Sequence, residues 1–361
     1  MNTMNTAVGS IAALRSSAAG RRTTAMKGDG PVPIPPSESV IHLPADHYLH
    51  IGAPTEWWWN IGTLKAGDRT FGFEINTAAF YPTAFTQIML TDVDRNLHFQ
   101  QTAWYPASNH WAEQDPAKDW FVKLGEVHMR APQSDPTRNM RVTARMVDEA
   151  TRTPVAFDLL VSQQGPPFIV WGTGVMPPSP KPTLKDNNFY YSLTRLAASG
   201  SISIGGETLE VTGVTWMDHE YGAFGTEEDR PKWILQDMQL SNGVCISNFT
   251  LKEPELGKET PSLATVQRAD GTTYFVSSSV TPIGATWTSP ESKTTYFMQV
   301  KVEIPDFAAT LLVSSLVDSQ EFPIGEASVY EGVAGATGTF EGEEVAGTAW
   351  SEQTMRPKKD D

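Results

Sequence analysis

Residues 187–222, "NNFYYSLTRLAASGSISIGGETLEVTGVTWMDHEYG", predict two long strands joined by a tight turn. The turn lies at Gly205-Gly206, because glycine readily adopts the positive φ angles that two-residue hairpin turns require. Along the second strand Val214 and Trp216 share one face and Thr215 lies on the other. This stretch therefore predicts a β-hairpin.

The same pattern recurs on both sides of this hairpin. In "RTFGFEINT" the side chains of Phe71, Phe73 and Ile75 share one face, with Glu74 and Asn76 on the other. Further turns are predicted at 94–96 (Asp-Arg-Asn), 242–243 (Asn-Gly) and 270–271 (Asp-Gly). Helical periodicity is scarce, and short strands with frequent turns are typical of β-barrels and sandwiches. The sequence predicts an all-β protein.

Two composition breaks suggest the domain organisation. Residues 1–42 lack acidic residues up to Met26 and are rich in Ser, Thr, Ala, Arg and then Pro, which predicts a disordered or targeting tail. The Pro-rich segment "MPPSPKP" (176–182) separates two β-rich stretches. We therefore expect β domains at 43–180 and 181–361. The expected location is the cytoplasm, while the tail leaves organelle targeting or secretion open.

Composition narrows the classes of partner. No run of 18 or more apolar residues occurs in the 361 residues, so no membrane span is expected. The net charge of −15 argues against nucleic acid and anionic lipid as partners, and favours a hydrophobic small molecule. With Cys245 as the single cysteine, neither an intramolecular disulfide nor a cysteine zinc site can form. The sequence leaves the oligomeric state open.

The densest group of ionisable residues is Asp218, His219 and Glu220. A carboxylate beside an imidazole can move a proton near neutral pH. In a regular strand, however, Asp218 and Glu220 point one way and His219 the other, so a bulge or turn is needed to bring all three together. The alternative is a polar strand end held by its own hydrogen bonds.

Aromatic residues cluster at "PTEWWWNIGTL" (54–64). Strand alternation places Trp57 and Trp59 on one side, and Glu56, Trp58 and Asn60 on the other. This pattern fits either the mouth of an aromatic-lined pocket or a structural girdle in which Glu56 bonds indole or backbone N–H groups. The adjacent Tyr190 and Tyr191 likewise lie on opposite faces of a strand.

Other motifs give little support for a cofactor. The pair His47-x-x-His50 has metal-ligand spacing only on a helix, and neither a helix nor a nearby third ligand is evident, so no metal is expected. A G-x-S-x-G elbow, a Walker motif and a dinucleotide fingerprint are all missing from the sequence. We therefore expect no organic cofactor.

Three stretches in this order resemble the hydroxyneurosporene synthase / AttH-like family, which includes carotenoid 1,2-hydratase. They are "EWWWNIGTL", the strand pair ending in "TWMDHEYG", and the glycine-punctuated "VYEGVAGATGTFEGEEVAGTAW" (329–350), which is suited to closing a barrel. The resemblance covers about residues 43–352. It implies two consecutive lipocalin-like antiparallel β-barrels packed together, and chemistry on hydrophobic, often polyene or isoprenoid, molecules.

The family pattern maps onto Glu56, Trp57 and Trp58 in the first motif. In the second motif it maps onto Trp216, Asp218, His219 and Glu220. The sequence departs from the pattern at Trp59, usually a tyrosine, and at Tyr221, where many relatives have tryptophan. Both changes retain an aromatic ring, so they leave the identity of the substrate undetermined and do not affect the fold that the resemblance implies.

The residues and the resemblance together favour a hydratase or cyclase, that is, an enzyme of the lyase or isomerase class. It would act by proton transfer on a hydrophobic unsaturated secondary metabolite. Two alternatives remain: a pericyclase (Diels-Alderase-like) that shapes a polyene, and a non-catalytic carrier of a hydrophobic ligand. The expected catalytic residues are Asp218, His219 and Glu56. The expected substrate-binding residues are Trp57, Trp58, Trp59, Asn60, Tyr190, Tyr191, Trp216, Glu220 and Tyr221.

Overall fold

A computed structural model describes residues 30–224, 233–250, 252–324 and 327–355. Residues 1–29 of the expected tail therefore lie outside the described residues. The described regular structure consists of antiparallel strands and short 3-10 turns at Pro36–Glu38, Ala45–His47 and Pro305–Phe307. Within the described ranges, none of the helical segments has the length and apolar character needed to cross a membrane.

The chain divides into two compact units. One comprises Val40–Ile169 and Lys181–Phe224, and the other comprises the described parts of Met1–Ser39, Val170–Pro180 and Gly225–Asp361. We call them the sheet unit and the barrel unit.

The strands of the sheet unit are β1 (Thr55–Ala66), β2 (Arg69–Phe80), β3 (Thr83–Asp92), β4 (Leu97–Pro106), β5 (Trp120–Leu124), β6 (Val127–Ala131), β7 (Asn139–Val147), β8 (Pro154–Gln163), β9 (Phe168–Ile169), β11 (Asn188–Ile204) and β12 (Glu207–Gly222). Those of the barrel unit are β10 (Val175–Met176), β13 (Ile234–Leu240), β14 (Cys245–Thr250), β15 (Thr260–Gln267), β16 (Thr273–Pro282), β17 (Thr286–Thr288), β18 (Thr295–Phe297), β19 (Gln299–Ile304), β20 (Ala309–Ser315), β21 (Glu321–Ile324), β22 (Ala327–Phe340) and β23 (Glu343–Gln353).

The sheet unit is a curled half-barrel in the order β4-β3-β2-β1-β12-β11-β8-β7-β6-β5. The strands β11 and β12 follow the Pro-rich break in the chain, yet they pair with β8 and β1. Alternation fills the interior as the sequence predicts: Phe71, Phe73 and Ile75 are all buried, and Phe73 packs 6.0 Å from Phe157 on β8. This arrangement makes β1 a central strand between β2 and β12.

The barrel unit is a closed eight-stranded barrel in the order β20-β19-β16-β15-β14-β13-β23-β22. Pairing of β22 with β20 closes it, so the glycine-punctuated last hairpin has the role that its sequence suggests. An apolar cluster fills the interior, with Met238, Ile246, Leu311 and Tyr330 fully buried. Stabilisation by such burial scales with the apolar area removed from water.

The predicted hairpin turns are confirmed. The turns at 94–96, 205–206, 242–243 and 270–271 join β3 to β4, β11 to β12, β13 to β14 and β15 to β16. The all-β prediction is confirmed as well, with a closed barrel unit and a half-barrel sheet unit. Residues Lys181–Phe224, which begin at the end of the Pro-rich segment, lie in the sheet unit.

Candidate active site

The register of β1 against β12 places the two conspicuous motifs side by side. Trp58 lies opposite His219, and Trp59 lies opposite Asp218. Directly opposite residues share a face of the sheet, and successive residues alternate between faces. The motifs therefore build two separate clusters, one on each face of the same strands.

We define the inner face as the side carrying Glu56, Trp58, Asn60 and His219. It faces β5 and β6 of the same sheet, because Asn60 Nδ2 contacts Met129 Sδ at 3.4 Å and the Trp58 ring lies 6.0 Å from that of Trp120. The outer face is the opposite side. It carries Trp57, Trp59, Asp218 and Glu220.

A chain of buried hydrogen bonds crosses the inner face. Oε1 of Glu56 lies 2.8 Å from Nδ1 of His50 and 3.0 Å from Nε2 of His219. The hydroxyl of Tyr191 lies 3.2 Å from Nδ1 of His219 and 2.5 Å from Nδ1 of His47. Three histidines, one carboxylate and one phenol are thus linked in series.

Electrostatics assign the protons along this chain. Burial lowers the pKa of His50, but the charges of Glu56 and Asp46 outweigh burial and raise it to about 9. Burial raises the pKa of Glu56, yet the neighbouring histidines bring it below its usual value. Burial also lowers the pKa values of His219 and His47. At neutral pH the chain therefore holds a His50–Glu56 ion pair and two neutral imidazoles.

These protonation states fix the tautomers. Neutral His219 carries one N–H, which Nε2 donates to the Glu56 carboxylate, so its Nδ1 accepts from the Tyr191 hydroxyl. The Tyr191 oxygen then accepts from Nδ1–H of His47. The chain ends at Nε2 of His47, which has no hydrogen-bond partner among the described residues.

Aromatic rings enclose the chain. Trp58 stacks on His219 with ring centroids 4.3 Å apart, and Tyr221 stacks on His50 at 3.6 Å. Trp120 packs 4.3 Å from His47. This packing holds the imidazoles in fixed orientations.

His50, Glu56 and His219 can also hold a metal ion, since their ligand atoms all lie within 4.8 Å of one another. Two imidazoles and a carboxylate are a common zinc ligand set. The same atoms are fully accounted for as hydrogen-bond partners, so the geometry does not require an ion. No third ligand near His47 and His50 was expected from the sequence, because Glu56 and His219 reach His50 only through the fold.

Asp218 is the centre of the outer-face cluster. Its Oδ1 accepts hydrogen bonds from Oγ of Ser192 at 2.5 Å and from Nε1 of Trp216 at 2.7 Å. Burial raises the pKa of Asp218 to about 6, although hydrogen bonds from Ser192, Trp216 and Tyr190 oppose the shift. The protonated form of this carboxyl group is therefore well populated near pH 6 and is the minor form at pH 7.

Glu220 lies next to Asp218 on the outer face, two residues along β12. The Nδ2 group of Asn188 donates a hydrogen bond to Oε1 of Glu220. Two residues along a strand span roughly 6.5 Å, so the two carboxyl groups are close enough to contact one small molecule. Trp57 lies opposite Glu220 and stacks against Phe80, with ring centroids 5.6 Å apart.

Accessibility separates the two faces. Asp218, Glu220, Trp57 and Tyr190 keep 8%, 7%, 6% and 7% of their surface accessible, whereas Glu56, Trp58, Tyr191 and His219 keep none. Trp59 is only partly buried. The outer face beside Asp218 therefore keeps a small accessible area, whereas His219 keeps none.

The structure thus divides the predicted site residues into two groups. Asp218, Glu220, Trp57, Trp59, Tyr190 and Trp216 lie on the outer face, and Glu56, Trp58, Asn60, Tyr191, His219 and Tyr221 lie on the inner face. The irregularity in the β11–β12 register lies at 193–196, away from 218–220, so no bulge unites Asp218 with His219.

Sequence reasoning missed several contributing residues. The partners of Asp218 and Glu220 include Ser192 and Asn188, and the inner chain includes His47 and His50. Ser192 had one detectable signal: it follows Tyr190 at the two-residue spacing of a shared strand face. The histidine contacts had no such signal, because they depend on the fold.

Comparisons with known proteins agree with this architecture. The profile of the family described as AttH-like matches residues 35–354. The crystal structure of an AttH protein from Nitrosomonas europaea is similar, with a TM-score of 0.70, 20% identity, and coverage of 90% of this chain and 100% of that one. The crystal structure of kievitone hydratase from Nectria haematococca is similar, with a TM-score of 0.71, 18% identity, and coverage of 90% of this chain and 97% of that one. No curated protein sequence matches at a significant level.

Proposed function

Since the chain belongs to the AttH-like family, we propose that it is an enzyme of the hydratase type. It adds water to a carbon–carbon double bond of a hydrophobic molecule of isoprenoid, polyene or polyketide origin. A hydratase among the proteins of similar fold supports this class of reaction. The observation that carries the proposal is Asp218, a carboxyl group with a pKa of about 6 on an aromatic, partly accessible face.

Asp218 acts as the general acid. A general acid works best when its pKa lies near the working pH, because it is then protonated yet still a strong enough donor. The bonds from Ser192 and Trp216 fix the orientation of the carboxyl group. Proton transfer of this kind contributes typically 10²–10⁴-fold to the rate.

Two carboxyl groups of this face and one water molecule account for every proton in the reaction. The Asp218 proton forms a C–H bond to one alkene carbon as the π bond breaks, which leaves a cation on the other carbon. Water forms the C–O bond to that cation. Glu220, held by Asn188, accepts the proton that the water loses and returns it to Asp218 through solvent.

The indole rings of Trp57 and Trp59 stabilise the cationic intermediate. An aromatic face attracts a cation by about 0.5–2 kcal/mol, and more when water is excluded. Trp57 is held by its stack on Phe80 and by an edge contact with Phe224 at 4.9 Å. These contacts support a rigid aromatic wall beside Asp218.

The inner-face chain positions the strand and does not contact substrate. His219 and Glu56 are fully buried, and their hydrogen bond joins β12 to β1 directly behind Asp218 and Trp59. We therefore assign Glu56 and His219 as positioning residues. Their loss is expected to lower kcat while leaving the pKa of the pH–rate profile near 6.

The test is a turnover screen in D₂O. The protein is incubated with a panel of trisubstituted alkenes, comprising isoprenoids, carotenoids and prenylated phenols, and products are identified by mass spectrometry. Hydration adds one D₂O, with deuterium bound to carbon. Asp218→Asn is expected to abolish turnover, whereas Asp158→Asn, at an exposed carboxylate paired with Arg141, retains it.

The same screen distinguishes the alternatives. Turnover that persists in Asp218→Asn, with products isomeric to the substrate, would identify a pericyclase and contradict the proposal. Tight binding across the panel with no product in the wild type would identify a carrier. A lowered kcat of His219→Gln with an unchanged pH–rate profile is the expected result for a positioning residue, and a displaced profile would contradict that role.

A further inference from the structure

Two buried amides on the outer face have polar atoms without a hydrogen-bond partner among the described residues. Asn76 is fully buried, and neither Nδ2 nor Oδ1 has a partner among the described residues. Gln87 is also fully buried; its Oε1 accepts from Thr102, but its Nε2 group has no partner in the described structure. Buried polar groups in proteins are nearly always hydrogen-bonded, so these three atoms call for a partner.

Both amides belong to one row that includes Asp218. The cross-strand register runs from Asp218 to Trp59, then to Asn76 and on to Gln87. Directly opposite residues share a face, so all four side chains lie on the outer face. Since neighbouring strands are about 4.8 Å apart, Asn76 lies roughly 10 Å from Asp218 and Gln87 roughly 14 Å.

Leaving a polar atom buried and unpaired is costly, and a well-packed apolar residue of similar size avoids the cost. The flanking positions on these strands are mostly apolar: Ile61 and Met89 on one side of the row and Ala78 and Phe85 on the other, with the buried Glu74 between Ile61 and Met89. Two amides with unpaired atoms in this setting indicate a polar group that is supplied from outside the chain.

We propose that Asn76 and Gln87 bind a neutral oxygen of the substrate, a hydroxyl or a carbonyl, roughly 10 Å from the double bond that Asp218 protonates. The distance rests on the proposed role of Asp218; the binding site itself does not. Asn76 Nδ2 and Gln87 Nε2 can each donate to a hydroxyl oxygen, and Asn76 Oδ1 can accept the hydroxyl proton, so one hydroxyl group gives each of these three atoms a partner.

An anionic group does not fit this site. Glu74 lies two residues before Asn76 on the same face, and Asp218 lies at the other end of the row. A carboxylate or phosphate buried there would lose its hydration, and the row offers it amide and carboxyl groups, so its burial costs far more than that of a neutral oxygen. The substrate is accordingly an uncharged, elongated amphipathic molecule with one oxygen function.

Trp59 separates the two ends of the row. It is partly exposed, whereas Asn76 beyond it is fully buried. A ligand that reaches the amides from the Asp218 side therefore displaces the Trp59 ring. This movement makes the fluorescence of Trp59 a reporter of binding at the row.

The test compares two probes that differ only in polarity. Farnesol is a neutral isoprenoid alcohol, and farnesene is a hydrocarbon with the same carbon skeleton. Binding to the full-length protein is measured by quenching of tryptophan fluorescence, with Trp59→Phe to identify the reporting ring. The wild type is expected to bind farnesol about tenfold more tightly than farnesene.

Asn76→Leu and Gln87→Met are expected to remove this preference by weakening farnesol binding about tenfold while farnesene binding stays within about twofold. Asn76→Leu is also expected to raise the denaturation midpoint, because it removes unpaired buried polar atoms. Asn139→Leu, at an exposed position on β7, is the control and keeps the preference.

Equal binding of the two probes by the wild type, no binding of either, or an unchanged preference in both variants would overturn the proposal. Because the readout is binding alone, it does not depend on turnover. Loss of the preference in Asn76→Leu with full activity of Asp218→Asn would leave the amide site standing and contradict the hydratase assignment.

Discussion

Replacing Asp218 by Asn is predicted to stabilise the protein at neutral pH while abolishing its activity. Burial raises the pKa of Asp218 from 3.8 to about 6, so the ionised carboxylate is disfavoured in the folded state. At 1.36 kcal/mol per pKa unit, ionising this group in the folded protein costs about 3 kcal/mol more than in the unfolded chain. An asparagine avoids this cost and retains an oxygen that accepts from Ser192 and Trp216.

The sign and the pH window follow from proton linkage. Between pH 3.8 and about 6 the folded state binds a proton at Asp218 that the unfolded state has released, so stability falls as the pH rises. Below pH 3.8 both states are protonated, and above about pH 6 both are ionised. The stability advantage of Asp218→Asn therefore grows by about 3 kcal/mol across this window and stays constant above it.

The assay is urea denaturation of both proteins at intervals from about pH 4 to pH 8, followed by tryptophan fluorescence. Only the pH dependence of the difference in unfolding free energy matters, since a constant offset reflects the packing of the new amide. Asp158→Asn serves as the control because Asp158 is exposed. A difference that is flat with pH would show that the pKa of Asp218 is not raised in the folded state. A difference that favours the wild type more as the pH rises would show that the ionised carboxylate stabilises the fold. Either result would remove the role of Asp218 as an acid.

Three further predictions concern the same sheet. The pKa of His50 is raised from 6.5 to about 9, so protonated His50 stabilises the folded state by about 3 kcal/mol below pH 6.5, and this stability is lost as the pH rises towards 9. In denaturation experiments at pH 6–9, His50→Gln should not show this loss of stability. Gly222→Ala should destabilise by more than about 2 kcal/mol in thermal unfolding, because Gly222 has a φ of +107° and a Cβ would lie 2.3 Å from the Asn187 carbonyl oxygen. Gly206→Ala, with a φ of +95° and open space around it, should cost only roughly 1–2 kcal/mol for the φ angle. Trp58→Ala should cost about 3–5 kcal/mol by leaving a cavity beside His219, and near-neutral stability would contradict its packing role.

Local sequence patterns predicted much of the sheet. A strand alternates its side chains with a period of two, so Glu56 and Trp58 had to share one face and Trp57 and Trp59 the other. The same rule places Asp218 and His219 on opposite faces, because they are adjacent in one strand. Turn residues such as those at 205–206 fixed the hairpins, because they act through their own backbone angles.

Those local rules cannot specify which strands pair or in what register. β1 meets β12 after more than a hundred intervening residues, and that pairing alone brings Glu56 to His219 and Trp59 to Asp218. Asp218 and His219 are neighbours in the sequence, and Glu56 belongs to the first family motif, so all three were expected in one catalytic group. The register instead sorts these residues onto two faces with different accessibility.

The sequence by itself therefore determined the fold class, the hairpins and the side of each strand on which a residue lies. The tertiary structure alone decided which side chains meet: the inner histidine chain that includes His50, and the outer row from Asp218 to Gln87. The physical reason is that backbone angles and alternation are set by neighbouring residues, whereas hydrogen bonds between side chains, burial and the pKa shifts they cause depend on contacts between segments far apart in the chain.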